Sequence, residues 1–147
     1  MGFGKAAELA RRDFNAHVEH LSTLRNYLAD RILTEIEDTE LNGPLWDRRH
    51  PGNLNITFKY IEGESILLLL NLAGICVSTG SACSSASLTP SHVLMALGVP
   101  REVIHGTIRF CIGDETTKED IDYVVENVKT VVSKLRAISA INAEKGW

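Results

Sequence analysis

Leu54-Asn55-Ile56-Thr57-Phe58-Lys59-Tyr60 alternates apolar and polar residues at every step. A strand turns successive side chains to opposite faces, so this run predicts a half-buried strand. Thr107 to Ile112 repeats the pattern. Ile108, Phe110 and Ile112 face one way, and Thr107, Arg109 and Cys111 face the other. Two strands with one apolar face each need a layer of helix to cover them.

The rest of the chain supplies that layer. Phe14, Val18, Leu21, Leu24, Leu28, Ile32 and Ile36 recur at three- and four-residue steps. They predict one long amphipathic helix over residues 5–37. Asn42-Gly43-Pro44 and His50-Pro51-Gly52-Asn53 are turn clusters. Gly63-Glu64-Ser65 opens a short apolar helix to Leu72, which Gly74 ends. Ile75-Cys76-Val77 reads as a short strand. Thr89 as an N-cap before Pro90, with Gly98 as the stop, brackets a helix from Ser91 to Leu97. Thr116-Thr117-Lys118-Glu119 has capping-box spacing and opens a last long helix. Its buried face is expected at Ile121, Val124, Val128, Val131 or Val132, and Leu135. With few parallel crossover units, the expected fold is α+β: a small, largely antiparallel sheet with helices packed on one face.

Composition narrows the function classes. A chain of 147 residues with 44% hydrophobic content fits one ordinary core, so residues 1–147 are expected to form a single domain. The net charge is −4 and no basic stripe is present, which argues against a nucleic-acid partner. The longest apolar run, Ile66 to Leu70, is too short to cross a bilayer, so no membrane association is expected. The start lacks the apolar centre of a secretory signal. Cys76, Cys83 and Cys111 are odd in number, and no pair has C-x-x-C spacing. This is neither a disulfide framework nor a zinc knuckle, and it predicts a reducing, cytoplasmic setting.

Cys83 lies in Ser78-Thr-Gly-Ser-Ala-Cys-Ser-Ser-Ala-Ser87, a run of small residues only. Such a segment cannot bury enough apolar surface to offset its ordering entropy, so residues 78–87 are expected to form a mobile surface loop. A lone thiol on a mobile loop suggests sulfur chemistry in which the cysteine travels; the alternative is an inert loop cysteine. Arg109 is the second candidate. A guanidinium between Ile108 and Phe110 either pairs with an acid, such as Asp114 or Glu115, or reaches a site that takes a carboxylate. His17 and His20, at i and i+3, could offer two metal ligands, but no third is near, so a solvated face is the simpler reading and no metal site is expected. His92 and His105 could each serve as a base. Cys76 and Cys111 read as small sheet residues.

Val77-Ser-Thr-Gly-Ser-Ala-Cys83-Ser-Ser-Ala-Ser-Leu-Thr-Pro-Ser-His-Val-Leu-Met-Ala-Leu-Gly98 resembles the active-site loop and following helix of NifS/IscS-type cysteine desulfurases, in the class with the longer mobile loop. His105-Gly-Thr-Ile-Arg109-Phe-Cys-Ile-Gly113 resembles the next strand of that family. Asn53-Leu-Asn-Ile-Thr-Phe58, Glu62-Gly-Glu-Ser65 and Glu119-Asp-Ile-Asp-Tyr-Val124 match further stretches in the same order. The resemblance implies the C-terminal small domain of a fold-type I pyridoxal phosphate enzyme. The family converts L-cysteine to L-alanine and hands the sulfur on as a persulfide for iron–sulfur cluster assembly. It implies Cys83 as the residue that takes the sulfur and Arg109 as the clamp on the substrate carboxylate. An iron–sulfur scaffold protein is the implied acceptor, contacted near the tail at 137–147.

One departure from the family is large. The family anchors pyridoxal phosphate on a lysine in a His-Lys motif of a large amino-terminal domain. None of Lys5, Lys59, Lys118, Lys129, Lys134 and Lys145 follows a histidine. The expectation is therefore a chain without the large lysine-bearing domain, holding no covalent cofactor and inactive alone. Residues 1–38 would be the helix that leads into the small domain. With that helix uncovered, self-association through it is expected. The alternative function is a non-catalytic sulfur-relay or scaffold-docking module, loaded on Cys83 by a partner. A transient iron–sulfur ligand role for Cys83, with partner thiolates, is a third possibility. Cys111, where the family more often has serine, is a smaller departure.

Overall fold

The computed structural model describes residues 2–80 and 90–140. Helix α1 spans Gly2–Glu35, β1 Thr39–Leu41, β2 Asn53–Phe58, α2 Gly63–Leu72 and β3 Ser78–Thr79. Then come α3 at His92–Ala96, β4 at Thr107–Cys111 and α4 at Lys118–Ile138. Single 3₁₀ turns occupy Trp46–Arg48 and Ile104–Gly106. No described helix is long and apolar enough to cross a membrane.

The two alternating runs are the centre of the sheet. Its order is β1-β2-β4-β3, and every pairing is antiparallel. Ile56 stands opposite Ile108, and Leu54 opposite Phe110. Leu54, Ile56, Phe58 and Ile108 are fully buried in one cluster with Leu28, Ile32, Ile66, Leu70, Val125 and Val128. Helices α1, α2 and α4 thus cover one face of the sheet, as the expected α+β layering requires. Each large apolar side chain so buried contributes about 1.5–3 kcal/mol, which makes this face the main source of stability. Gly106 lets two strand ends meet: a Cβ there would stand 2.4 Å from the carbonyl oxygen of Phe58.

The structure moves several expected boundaries. The apolar stripe of α1 is buried only from Leu21 onward; Phe14 is 61% exposed because no described element lies under the first half of the helix. The strand expected at 75–77 forms its ladder later, at Ser78–Thr79. The N–H of Ile75 still bonds back to the Leu70 carbonyl at 2.9 Å, so this segment is finishing α2. Ser91 holds the N-cap position of α3, with no side-chain capping bond. Thr89 lies outside the described residues. Gly98, at φ +79°, stops the helix as expected. The capping box of α4 is Thr117 and Asp120, one residue beyond the expected pair. The Thr116 hydroxyl is instead engaged by the N–H of Gly113, at 3.2 Å.

Candidate functional site

The face of the sheet away from the helices carries the polar members of the same alternation. Arg109 stands there, opposite Asn55 on β2 and Ser78 on β3. The expected ion pair with Asp114 or Glu115 does not form: Asp114 bonds His17 Nδ1 at 2.6 Å. The Nε of Arg109 is buried and has no hydrogen-bond partner among the described residues. A buried donor left unmade costs about 1–3 kcal/mol, so this guanidinium keeps a donor for a partner that the described residues do not supply.

What it faces is a cavity of about 340 Å³ lined by Asn53, Asn55, Arg109, Arg49, Gly80 and Ser91, among others. Arg48 and His50 also reach it, and no carboxylate lines it among the described residues. Three arginines and no acid make a basin for an anion, and a planar guanidinium fits a carboxylate through two parallel hydrogen bonds.

The wall bearing Arg48, Arg49 and His50 is held from behind. Arg25 on α1 is 2% exposed. Its guanidinium donates to the carbonyls of Trp46 at 3.1 Å, Arg49 at 3.4 Å and His50 at 3.0 Å, and to Asn26 Oδ1 at 2.8 Å. It also lies over the Trp46 ring, 5.8 Å from the centroid. Burial pushes the Arg25 pKa down, while backbone dipoles satisfy its donors. Arg49 in turn donates to the carbonyls of Pro44 and Asn42, and its pKa is lowered by burial and then by nearby Arg25. Buried Asn42 donates to Asn55 Oδ1 at 2.7 Å and to Thr57 Oγ1 at 2.8 Å. These bonds fix the orientation of Asn55 beside Arg109.

Cys83 lies outside the described residues. The chain on either side of its segment is described, and Gly80 and Ser91 both line the Arg109 cavity. Cys83 follows Gly80 by three residues in the sequence. The two histidines considered as possible bases are not brought in: His92 and His105 are exposed and neither lines the cavity. His17 and His20 form no metal site, and no metal-binding cluster of three or more His, Cys, Asp or Glu occurs among the described residues. Sequence reasoning missed Asn53, Asn55, Arg48, Arg49 and His50. The two asparagines were signalled by the alternation of β2, whose polar positions share a face with Arg109.

No lysine lines the cavity among the described residues. Lys5, Lys59, Lys118 and Lys129 are paired elsewhere, with Glu8, Glu40, Asp122 and Glu35. The described residues therefore offer no amine there for a covalently held carbonyl cofactor, while they do fit a free carboxylate.

The sequence model described as aminotransferase class-V matches residues 1–124. A cysteine desulfurase IscS of Dictyoglomus turgidum is 50% identical over 98% of this chain. A cysteine desulfurase of a Nostoc species is 48% identical over all of it. The chain covers 36% and 37% of these two relatives, so it spans about a third of their length. Among solved structures, a NifS-like protein superposes with a TM-score of 0.75 at 28% identity, covering 89% of this chain and 32% of that one. A NifS-like protein from Rickettsia africae gives 0.74 at 24% identity, covering 90% of this chain and 33% of that one, and shares the fold.

Proposed function

The chain belongs to the class-V aminotransferase family, and from that premise we propose that it is the carboxylate-binding and sulfur-accepting part of a cysteine desulfurase. L-Cysteine is the sulfur donor and L-alanine the product. Arg109 holds the substrate carboxylate, and Cys83 takes the sulfur as a persulfide. The observation that carries this reading is the unpaired, buried Nε of Arg109 in a cavity whose walls include both flanks of the Cys83 segment.

The family's cofactor is pyridoxal phosphate, which serves as an electron sink when bound. The residues described here do not fit its covalent attachment, because no described lysine lines the Arg109 cavity. On this reading the cofactor is anchored on a lysine of another part of the enzyme, and Arg109 and Cys83 contribute binding and acceptance. An iron–sulfur scaffold protein is the sulfur acceptor, and the setting is cytoplasmic. The first half of α1 exposes Phe3 and Phe14 and serves as an association surface, with a second copy as its occupant.

The purified chain tests this in two steps. Incubated with L-cysteine and pyridoxal phosphate, it should release no alanine; alanine production would place the cofactor chemistry within this chain. Incubated with a small-molecule persulfide, it should gain a sulfur atom on Cys83 by peptide mass spectrometry. Sulfur on the other thiols but not on Cys83 would remove Cys83 from the acceptor role. If the chain stays unable to make alanine when joined by the cofactor-bearing polypeptide, yet still accepts sulfur, it is a relay module instead.

A further inference from the structure

Cys76 and Cys111 are both free and both exposed. β3 and β4 pair with Ser78 opposite Arg109 and Thr79 opposite Ile108. The ladder itself ends at Ser78, but in an antiparallel pair each step back on one strand is a step forward on the other, so the same register continued past Ser78 would set Val77 against Phe110 and Cys76 against Cys111. Burial follows this register. Ile75 is buried and Val77 packs against the core, while Cys76 and Cys111 are both exposed. The two thiols also line one cavity of about 360 Å³, together with Val77, Phe110 and Ile112.

We propose that Cys76 and Cys111 form a cross-strand dithiol, a site for thiophilic modification that closes to a disulfide on exchange with a small disulfide oxidant. Residues opposite each other in an antiparallel pair have Cα atoms about 4.5 or 5.5 Å apart. Both spacings fall inside the roughly 4.4–6.8 Å that a disulfide spans, so a pair held in that register could close. The thiolate of one cysteine attacks the oxidant and forms a mixed disulfide, expelling one thiolate. The second cysteine attacks the protein sulfur of that bond and expels the other. Two protein thiols are oxidised, the oxidant is reduced to two thiols, and the two protons pass to them. The ring that closes encloses residues 77–110. It therefore ties down both flanks of the Cys83 segment and fixes β3, whose ladder has only two residues, to β4. Oxidation would then restrain the edge strand that leads to Gly80 at the Arg109 cavity.

The full-length Cys83→Ser chain leaves only these two thiols. Treated with oxidised glutathione, it should lose two hydrogens in mass without a retained adduct, and a non-reducing tryptic digest should join the Cys76 and Cys111 peptides. Its melting temperature should rise, and dithiothreitol should reverse the shift. Two retained glutathione adducts, disulfide-linked dimers, or an unmodified chain would each overturn the proposal. A second measurement needs no oxidation: a trivalent arsenical, which bridges two neighbouring thiolates, should bind one per chain and be lost in the additional Cys111→Ser variant. Equal binding with and without Cys111 would show that the thiols do not act as a pair.

Discussion

The helix-covered face of the sheet and the open face are made by alternate residues of the same two strands. On the covered side Leu54, Ile56, Phe58 and Ile108 are fully buried among apolar neighbours, and nothing there needs a further partner. On the open side Asn53, Asn55 and Arg109 surround a cavity, and one buried guanidinium nitrogen has no bond among the described residues. One face is complete within the described residues, while the other keeps a polar donor that they leave open. The difference separates residues that stabilise from residues that bind, and it can be tested by substituting one face at a time.

The largest effect is expected on the covered face. Phe58→Ala removes a ring with no exposed surface and should cost about 3–5 kcal/mol, read as a lower urea midpoint. Asn55→Ala on the opposite face loses the bond from Asn42, whose amide still reaches Thr57, and should cost about 1 kcal/mol. Equal losses at the two positions would break the distinction.

Arg109→Met should separate binding from stability. Removing a guanidinium that has an unmade buried bond should leave the urea midpoint unchanged or raised. In the desulfurase completed with its cofactor-bearing polypeptide, kcat/KM for L-cysteine should fall roughly a hundredfold, the loss of about 3 kcal/mol in charge-assisted bonds to a carboxylate. A large stability loss with little change in kcat/KM would make Arg109 a structural residue.

The covered face was legible because burial leaves a period in the sequence: two for β2 and β4, about three and a half for α1 and α4. Arg109 was legible for a related reason, as a charge breaking an apolar strand. Its neighbours were harder to see. Arg49 and His50 belong to a turn whose position depends on Arg25, and Arg25 reads as an ordinary charge on an amphipathic helix. Its carbonyl partners lie more than twenty residues away. Boundaries failed where two local signals competed. Thr116 and Thr117 are both able caps, and the choice was made by the bond from Gly113 to Thr116. The first half of α1 failed differently: its stripe is real in sequence, but a stripe does not say what covers it.

The smallest effect lies away from both faces, where α1 meets α4. Glu35 bonds Arg31 on its own helix and Lys129 Nζ, at 2.8 Å, on α4. Hydrogen bonds from Arg31 first, and Lys129 next, hold its carboxyl down to about 2, against an ordinary 4.5. A depressed carboxylate binds its proton more readily in the unfolded chain, so its stabilisation is present above the unfolded value and drains as pH falls from about 4.5 toward 2. Exposed pairs of this kind are weak and screened by salt, so the effect should be modest. Glu35→Gln should lower the melting temperature slightly at neutral pH and converge with the parent chain at low pH, more so in low salt. Phe58→Ala, by contrast, should keep its deficit at every pH. If the Glu35→Gln deficit also persisted below the folded value, the residue would be acting through packing, and the border between α1 and α4 would belong with the covered face.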